Sequence, residues 1–304
     1  MKTEKERLIE ALETVIMEKK KITTSKEYKL AKKINETKKK IRHFEIKGII
    51  GNIEKKIGYY RRKKYESKYE NMKYTNLGSV NDKKIVVYTC IAGEYDKVSE
   101  PLYKNDNVEY VIYTNSKEEL IQWKKRDIPL KIKEINSNIL INRYIKLHPH
   151  ELFEEYDYSI YIDGNIRSMS DLSDFTRAIN EKSGLAMFKH HTRNCIYIEE
   201  KVCNIYGKGN KEKLHKQTQK YKKEGFPENY GMLEGNIIVT DLKNKKSNEI
   251  LGKWWNEFEK SESLRDQMSL PYVLWKLGYK IEDIGILGNN VYSCSKFEFV
   301  KHLK

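Results

Sequence analysis

The chain has 304 residues, with 59 Lys+Arg against 44 Asp+Glu and a net charge of +15, long enough for one large domain with a full core plus an appendage. No run of about 18 apolar residues occurs and the start MKTEKERLIE lacks the apolar centre of a signal peptide, which argues against a spanning helix and for a cytosolic location. Four cysteines without C-x-x-C spacing are too few for a disulfide framework and are expected as free thiols, Cys90 and Cys294 filling apolar space.

Residues 1–75 carry 23 Lys+Arg against 11 Asp+Glu, a net of +12, while the other 229 residues net only +3. The basic character belongs to an N-terminal arm. Thr24-Ser25-Lys26-Glu27 has the form of a capping box, and Leu30, Ile34, Thr37, Ile41 and Phe44 step by four and three, as Ile46, Ile50, Ile53, Ile57 and Tyr60 do after a phase shift. A helical or coiled-coil arm over residues 1–75 is expected, weakened at Gly48, Gly51 and Gly58. Packing or homo-oligomerisation ranks first for its seam, an anionic membrane surface second and nucleic acid a distant third, since summed charge alone does not choose.

After the loop Gly78 to Asp82 the texture changes. Lys84 to Ala92 reads as a buried strand ending in Gly93-Glu94-Tyr95-Asp96, Val108 to Thr114 as a second, and Leu130 to Ile135 as a shorter alternating one. A helix over Asn142 to Phe153 puts Arg143 and Lys146 at i and i+3, able to hold phosphate together or to form an exposed basic face. Tyr158 to Ile162 is a strand buried on both faces that runs into Asp163-Gly164-Asn165, with glycine expected to let the backbone turn sharply. In open α/β sheets the ligand crevice lies at such carboxyl ends. Two oxygen donors at i and i+2 can share Mg²⁺ or Mn²⁺ with a diphosphate, although Asp-Gly and Gly-Asn also serve plain turns.

Leu185 to Phe188 is a further strand leading to Lys189-His190-His191-Thr192-Arg193, read as polar loop ahead of metal site. Residues 197–224 are helical in texture. The strand Leu233 to Val239 interrupts its apolar run with Glu234, Gly235 and Asn236, which calls for hydrogen bonding inside the fold or a sugar in the cleft. Trp254-Trp255 lies on an amphipathic helix as core, Arg265-Asp266-Gln267 opens the next helix, and Lys280 to Leu287 is a last short strand. Strands alternating with helices argue for a mainly parallel sheet covered on both faces. No P-loop, G-x-G-x-x-G, H-E-x-x-H or G-x-S-x-G is present.

The stretches Val87 to Asp96, Arg143 to His150, Tyr158 to Asn165, Phe188-Lys189-His190 with Arg193 and Tyr197-Ile198-Glu199, Glu224 to Pro227, Trp254-Trp255 and Arg265-Asp266-Gln267 together resemble a known family. It is the glycosyltransferase-like domain of plant Golgi proteins of mucilage and pollen biology and of bacterial polysaccharide loci. The resemblance implies a GT-A (Rossmann-like), nucleotide-sugar-binding domain at residues 84–304, similar in its order of parts to family 8 glycosyltransferases. It implies that Asp163 and Asn165 stand in place of a metal-binding D-x-D for Mn²⁺ or Mg²⁺, with His302 as a late ligand. Asn165 departs from that pattern, giving one neutral oxygen where a carboxylate gives charge. Ala92, Gly93, Tyr95 and Asp96 would surround base and ribose, with Tyr95 stacking, and Asn115 stands where the family often has an acid. Arg143 and Lys146 would neutralise the diphosphate. Glu234 and Asp266 are the acids expected near the sugar, either one a general base if the reaction inverts, and His190, Arg193, Asn236, Arg265 and Gln267 would contact donor or acceptor.

The function so implied is metal-dependent transfer from a UDP- or CDP-type sugar to a bacterial surface glycan of capsule, lipopolysaccharide or teichoic-acid type, or to its lipid-linked precursor. The expected place is the cytoplasm, peripheral at the inner face of the plasma membrane. D-G-N in place of D-x-D keeps a second reading open, a catalytically inactive scaffold of the same fold that oligomerises through the N-terminal coil.

Overall fold

β1 (Ile85–Ile91) is buried at every position and β2 (Val108–Thr114) at all but Glu109, as strands covered on both faces must be. The computed structural model describes residues 82–300 apart from 94–97, 104, 106 and 136. The expected arm and Tyr95, Asp96 and His302 lie outside the described residues.

β1 pairs in parallel with β2, Ile85 opposite Val108. β3 (Lys124–Arg126) extends the sheet beyond β2, and β4 (Tyr158–Ile162) lies on the other side of β1. β5 (Ile166–Ser168) leaves the main sheet for a small one of its own. Beyond β4 come β7 (Leu233–Asp241), β6 (Leu185–Lys189) and β8 (Gly285–Gly288), completing the order β3-β2-β1-β4-β7-β6-β8. β7 runs against both neighbours, while the other six strands share one direction. β5 pairs with β9 (Phe297–Phe299) beside this sheet.

The strands' period of two divides the core. Val86, Tyr88, Cys90, Tyr161 and Ile238 face α1 (Asn138–Leu147) and two later helices, whereas Ile85, Val87, Ile160, Ile162 and Val239 face Phe175, Val291 and Phe297. α2 (Ile196–Ile205) and α3 (Lys211–Lys223) enclose a smaller cluster around Tyr221 and Phe226. α4 (Lys245–Ser261) and α5 (Asp266–Lys276) complete the first face. Trp254 and Trp255 are buried there as expected, and the four cysteines are free, Cys90 buried and Cys294 half-buried. No helix among the described residues is long and apolar enough to cross a membrane.

Three segments differ from their sequence reading. The helix expected over Asn142 to Phe153 runs instead over Asn138–Leu147, and a separate turn, Pro149–Leu152, follows it. Leu130 to Ile135 contains a helical turn, Leu130–Lys133, not a strand. Pro129 fixes φ at −55° and its carbonyl accepts from Ile132 and Lys133, so the alternating pattern is overridden by a ring suited to opening a helix. The third strand is instead polar Lys124–Arg126 at the sheet edge. Within Lys280 to Leu287 the first residues form a 3-10 turn, Ile281–Asp283. The strand begins only at Gly285, where an added Cβ would lie 1.8 Å from the Ala178 carbonyl oxygen.

Candidate active site

The turn after β4 is held from both sides. The Asp163 N–H donates to the Asn236 carbonyl at 3.0 Å, and the Asp163 carbonyl accepts from Ile166 at 2.8 Å. The need for glycine between Asp163 and Asn165 comes from packing: a Cβ on Gly164 would sit 2.7 Å from Ile91 Cγ1 at the end of β1. Asn165 is half-buried and its carbonyl accepts from Val300, just past β9.

α1 supplies the cations. Ser137 caps it by accepting from the Leu140 N–H, and Asn142 Nδ2 donates to the Cys90 carbonyl at 2.6 Å, fixing the helix against β1. Lys146, with 2% of its side chain exposed, places Nζ 2.5 Å from Asp266 Oδ2 and 4.0 Å from Asp163 Oδ1. Arg143 Nε lies 3.2 Å from the same Asp266 oxygen. Burial alone would raise the Asp266 carboxyl, but Arg143 and Lys146 outweigh it and hold the group well below the usual carboxylate range. Burial likewise works against the Arg143 cation, and the charges of Asp266 and Asp163 more than compensate. A Cβ on Gly235 would come 3.2 Å from Lys146 Nζ, so glycine there leaves room for the pair. The Trp254 indole N–H donates to the Asp266 carbonyl and anchors the start of α5.

Beside this cluster, at the carboxyl ends of β1 and β2, lies a cavity of about 570 Å³ lined by residues that include Asn115, Lys133, Glu134, Ser137, Asn138 and Ile141, within the size range of small-ligand sites. Gly93 borders it with φ of +72°, and its N–H donates to Asn115 Oδ1 at 2.9 Å. A Cβ there would meet Asn138 Nδ2 at 2.4 Å. Ala92 is buried at the strand end. α1 thus reaches both the cavity, through Asn138 and Ile141, and the charge cluster, through Arg143 and Lys146.

A second corner forms where β6 and β7 slip in register, from Met187 opposite Ile238 to Phe188 opposite Glu234. The slip gathers Glu234, Gly235 and Asn236 into an irregularity at the strand's start. His190 Nδ1 accepts the N–H groups of Thr192 at 3.2 Å and Arg193 at 3.1 Å, and its Nε2 faces Glu199 Oε2 at 3.7 Å. Burial pushes this imidazole down, against the pull of Glu234 and Glu199. Arg193 Nε donates to Glu199. His191 Nδ1 lies 3.0 Å from Glu234 Oε1, while Glu234 Oε2 accepts from Gln267 Nε2 at 3.0 Å. Gln267 also donates to the Leu233 carbonyl and accepts from Arg265 at 3.4 Å. Burial would raise Glu234, but the bonds and charges from the histidines and Gln267 hold it below the usual range. Asn236 Oδ1 is buried with no hydrogen-bond partner among the described residues. Exposed Tyr292 packs edge-on against His191 at 5.0 Å, and the charges of Glu234, Asp163, Arg265 and Arg193 act on it.

Two groups of residues bear on cation binding. Asp163 keeps 28% side-chain exposure and with Asn165 offers oxygen atoms, the donors that Mg²⁺ and Mn²⁺ take. His190, His191 and Glu234 bring ligand atoms within 4.8 Å of one another. That trio fits a cation poorly, since the His190 Nδ1 lone pair is committed to two amides and both Glu234 oxygens hold hydrogen-bond partners. The structure therefore brings Asp163, Arg143, Lys146 and Asp266 together, and separately Glu234, His190, Arg193, Arg265 and Gln267. Sequence reading left His191 in a polar loop and passed over Tyr292, because their contacts are made across 43 residues to Glu234 and about 100 between themselves.

One reversed strand inside an otherwise parallel sheet, with cavity and cations at the carboxyl edge, is the plan of the GT-A glycosyltransferases, and that is the fold class of this domain. Residues 133–302 match the TOD1/MUCI70, glycosyltransferase-like domain family, and the chain belongs to that family, whose class of enzyme is the glycosyltransferases. No curated protein sequence matches the chain. Among solved structures, the WbbM bifunctional glycosyltransferase in apo form is similar with a TM-score of 0.43 and 15% identity over 69% of this chain, which spans only 40% of the WbbM chain. The galactosyltransferase LgtC in complex with donor and acceptor sugar analogues has a TM-score of 0.36 and 13% identity, covering 62% of this chain and 70% of LgtC. Mouse xyloside xylosyltransferase 1 in apo form has 0.39 and 8%, covering 67% and 84%.

Proposed function

We propose that the protein transfers a sugar from a nucleoside diphosphate sugar of uridine or cytidine type to a glycan acceptor. The observation that carries this reading is the convergence of Arg143 and Lys146 on buried Asp266, next to Asp163 and to the cavity at the ends of β1 and β2. Two cations fixed on one helix face suit a diphosphate, whose charge grows as the anomeric bond breaks. The cavity, ringed by Asn115, Lys133, Glu134 and Asn138, would take the nucleoside. Asp163 and Asn165 would hold Mn²⁺ or Mg²⁺, which when bound adds charge neutralisation at the leaving diphosphate. Asp266 keeps both cations in place, and Trp254 holds Asp266. A bacterial surface glycan or its lipid-linked precursor is the acceptor we favour, and the +12 arm would keep the enzyme near anionic lipid on the cytoplasmic side.

A thermal-shift panel of UDP, CDP and their sugars, with and without Mn²⁺, on wild type and Asp163→Ala tests this reading. Stabilisation by one nucleotide that needs both metal and Asp163 is expected, about 2.7 kcal/mol at a hundredfold excess over Kd. Silence across the panel in a folded protein would overturn it.

A further inference from the structure

The positive charge of the domain is concentrated in one segment. Residues 201–223 carry eight lysines against one acid, Glu212, a net of +7, whereas the other 206 residues beyond position 75 net −4. The fold fixes most of those lysines on one outer face. α3 is capped by Asn210, whose side chain accepts from the Glu212 and Lys213 N–H groups at 3.1 Å, and it buries Leu214, Gln217, Thr218 and Tyr221. Gln217 Nε2 donates to Tyr221 Oη and Ser269 Oγ, and Thr218 Oγ1 donates to Glu200, so hydrogen bonds as well as packing hold the helix in one rotation. Lys211, Lys216, Lys222 and Lys223 are then exposed, with no hydrogen bond or ion pair among the described residues. Apolar side chains stand beside them. Ile205 and Tyr206, at the end of α2, are half exposed, as is Leu264 to a lesser degree, in a left-handed backbone with φ of +61° that leucine seldom adopts. The two loops form one surface: the Asn210 N–H donates to the Ser263 carbonyl at 3.1 Å, Lys213 pairs with Glu262, and a Cβ on Gly209 would meet the Ser263 carbonyl oxygen at 2.7 Å. The Lys208 ammonium lies 5.9 Å from the centre of the Tyr206 ring.

We propose that this face, α3 with the loops at 205–210 and 262–264, docks on an anionic lipid bilayer. Lysines held along one side of a fixed helix meet the headgroup phosphates, each worth roughly fivefold in affinity near an anionic surface. Ile205, Tyr206 and Leu264 reach the boundary between headgroups and acyl chains. An anionic polymer would use the same lysines, but an exposed isoleucine and leucine offer it nothing, and that favours lipid. The docking depends neither on the transferase reading nor on the N-terminal arm. Its consequence for the transferase reading is placement: Leu264 directly precedes Arg265 and Asp266, so the docked domain has that end of its cleft beside the lipid, where a lipid-linked acceptor would stand.

The test uses the full chain and vesicles of phosphatidylcholine with and without phosphatidylglycerol, some carrying brominated acyl chains. Tyr206→Trp places a fluorophore at the apolar tip, and Ile121→Trp places one on the exposed loop before β3, at the far edge of the sheet. Anionic brominated vesicles should quench the fluorescence added by Tyr206→Trp and leave that added by Ile121→Trp unchanged, which separates this face from any lipid contact made by the arm. The combined variant Lys216→Gln/Lys222→Gln/Lys223→Gln should bind anionic vesicles at least about tenfold more weakly at an unchanged denaturation midpoint. Leu264→Gly, which keeps the left-handed backbone without strain, should fold at least as well as wild type and bind at least about fivefold more weakly. Absence of vesicle binding, affinity of the triple-lysine variant within about twofold of wild type, or quenching of Tyr206→Trp no greater than that of Ile121→Trp overturns the proposal. Tighter binding of dextran sulfate or duplex DNA than of vesicles, lost in the triple-lysine variant, overturns it in favour of a polyanion. None of these outcomes bears on whether the protein binds a nucleotide, so the transferase reading stands or falls separately.

Discussion

The two corners of the cleft solve the same problem, a buried carboxylate, in opposite ways. At the α1 corner Asp266 is neutralised by the ammonium of Lys146 and the guanidinium of Arg143. At the β6 corner Glu234 is held by His191 and the neutral amide of Gln267. The first is an array of full charges, suited to holding a diphosphate, and the second is a network of imidazole, carboxylate and amide hydrogen bonds. Charge of the kind gathered at the α1 corner is what transfer from a nucleoside diphosphate needs on the leaving side.

The largest test breaks the fixed corner. Lys146→Met removes a cation only 2% exposed and leaves Asp266 with Arg143 alone. Loss of about 3–5 kcal/mol of stability is expected by chemical denaturation, together with loss of nucleotide-induced stabilisation. Adding Asp266→Asn should recover part of the stability, since the unpaired charge goes, and none of the nucleotide effect. A Lys146→Met protein as stable as wild type would mean that the pair contributes nothing net.

Gly164→Ala probes the same corner through packing. With the new Cβ 2.7 Å from Ile91 Cγ1, either β1 or the Asp163 turn must shift. A loss of about 1–3 kcal/mol is expected, with weaker dependence of nucleotide binding on Mn²⁺ than in wild type. Unchanged stability and metal response would show that the turn has room to spare.

How much of this contrast was legible in the sequence follows from how local each part is. β1, β2, β4, β6 and β7 could be read because their apolar runs are long and bounded by turn residues, and Arg143 with Lys146 because helical spacing alone puts them on one side. Asp163, Glu234, Asn236 and Asp266 stood out by interrupting apolar or periodic segments. Short elements were not readable: Lys124–Arg126 carries no strand pattern, Leu130–Lys133 mimics one, and β5 and β9 are three residues each and gain meaning only from pairing across 131 positions. The contact of His191 with Glu234 was invisible for the same reason. In sequence it is one member of a His pair, and only the fold shows that His191 comes to hydrogen-bond distance of Glu234 while His190, 3.9 Å from the same oxygen, is spent on backbone amides.

The titratable corner should announce itself through pH. A buried imidazole whose folded value lies below its free value is neutral in the folded state and takes up a proton more readily when unfolded. Its contribution is therefore complete above the unfolded value, about 6.5, and is lost as pH falls below it. Asp266, held low, gives the opposite window: its contribution is complete above about pH 4 and is lost only in stronger acid. Between pH 7 and 5, then, the β6 corner loses stability while the α1 corner does not. His148 and His150 are also pushed down by burial and add to the slope. His190→Asn, whose amide oxygen can still accept from Thr192 and Arg193, should flatten the slope by up to about 1.4 kcal/mol per pH unit, read from denaturation midpoints across the range. An identical slope in wild type and variant would place the proton uptake elsewhere.

Asn236 lies between the corners and gives the smallest effect on stability with a large one on function. Its backbone carbonyl holds the Asp163 turn, which any residue could do, while its side-chain oxygen is buried and unpartnered among the described residues. Folding gains nothing from an acceptor left without a donor. Asn236→Ala should leave the denaturation midpoint unchanged or slightly raised, while transfer or donor hydrolysis falls at least tenfold, because the donor this oxygen lacks is then a hydroxyl of the bound sugar. If the variant loses stability and keeps activity, the oxygen belongs to the fold through ordered water, and the sugar's place must be sought nearer the α1 corner.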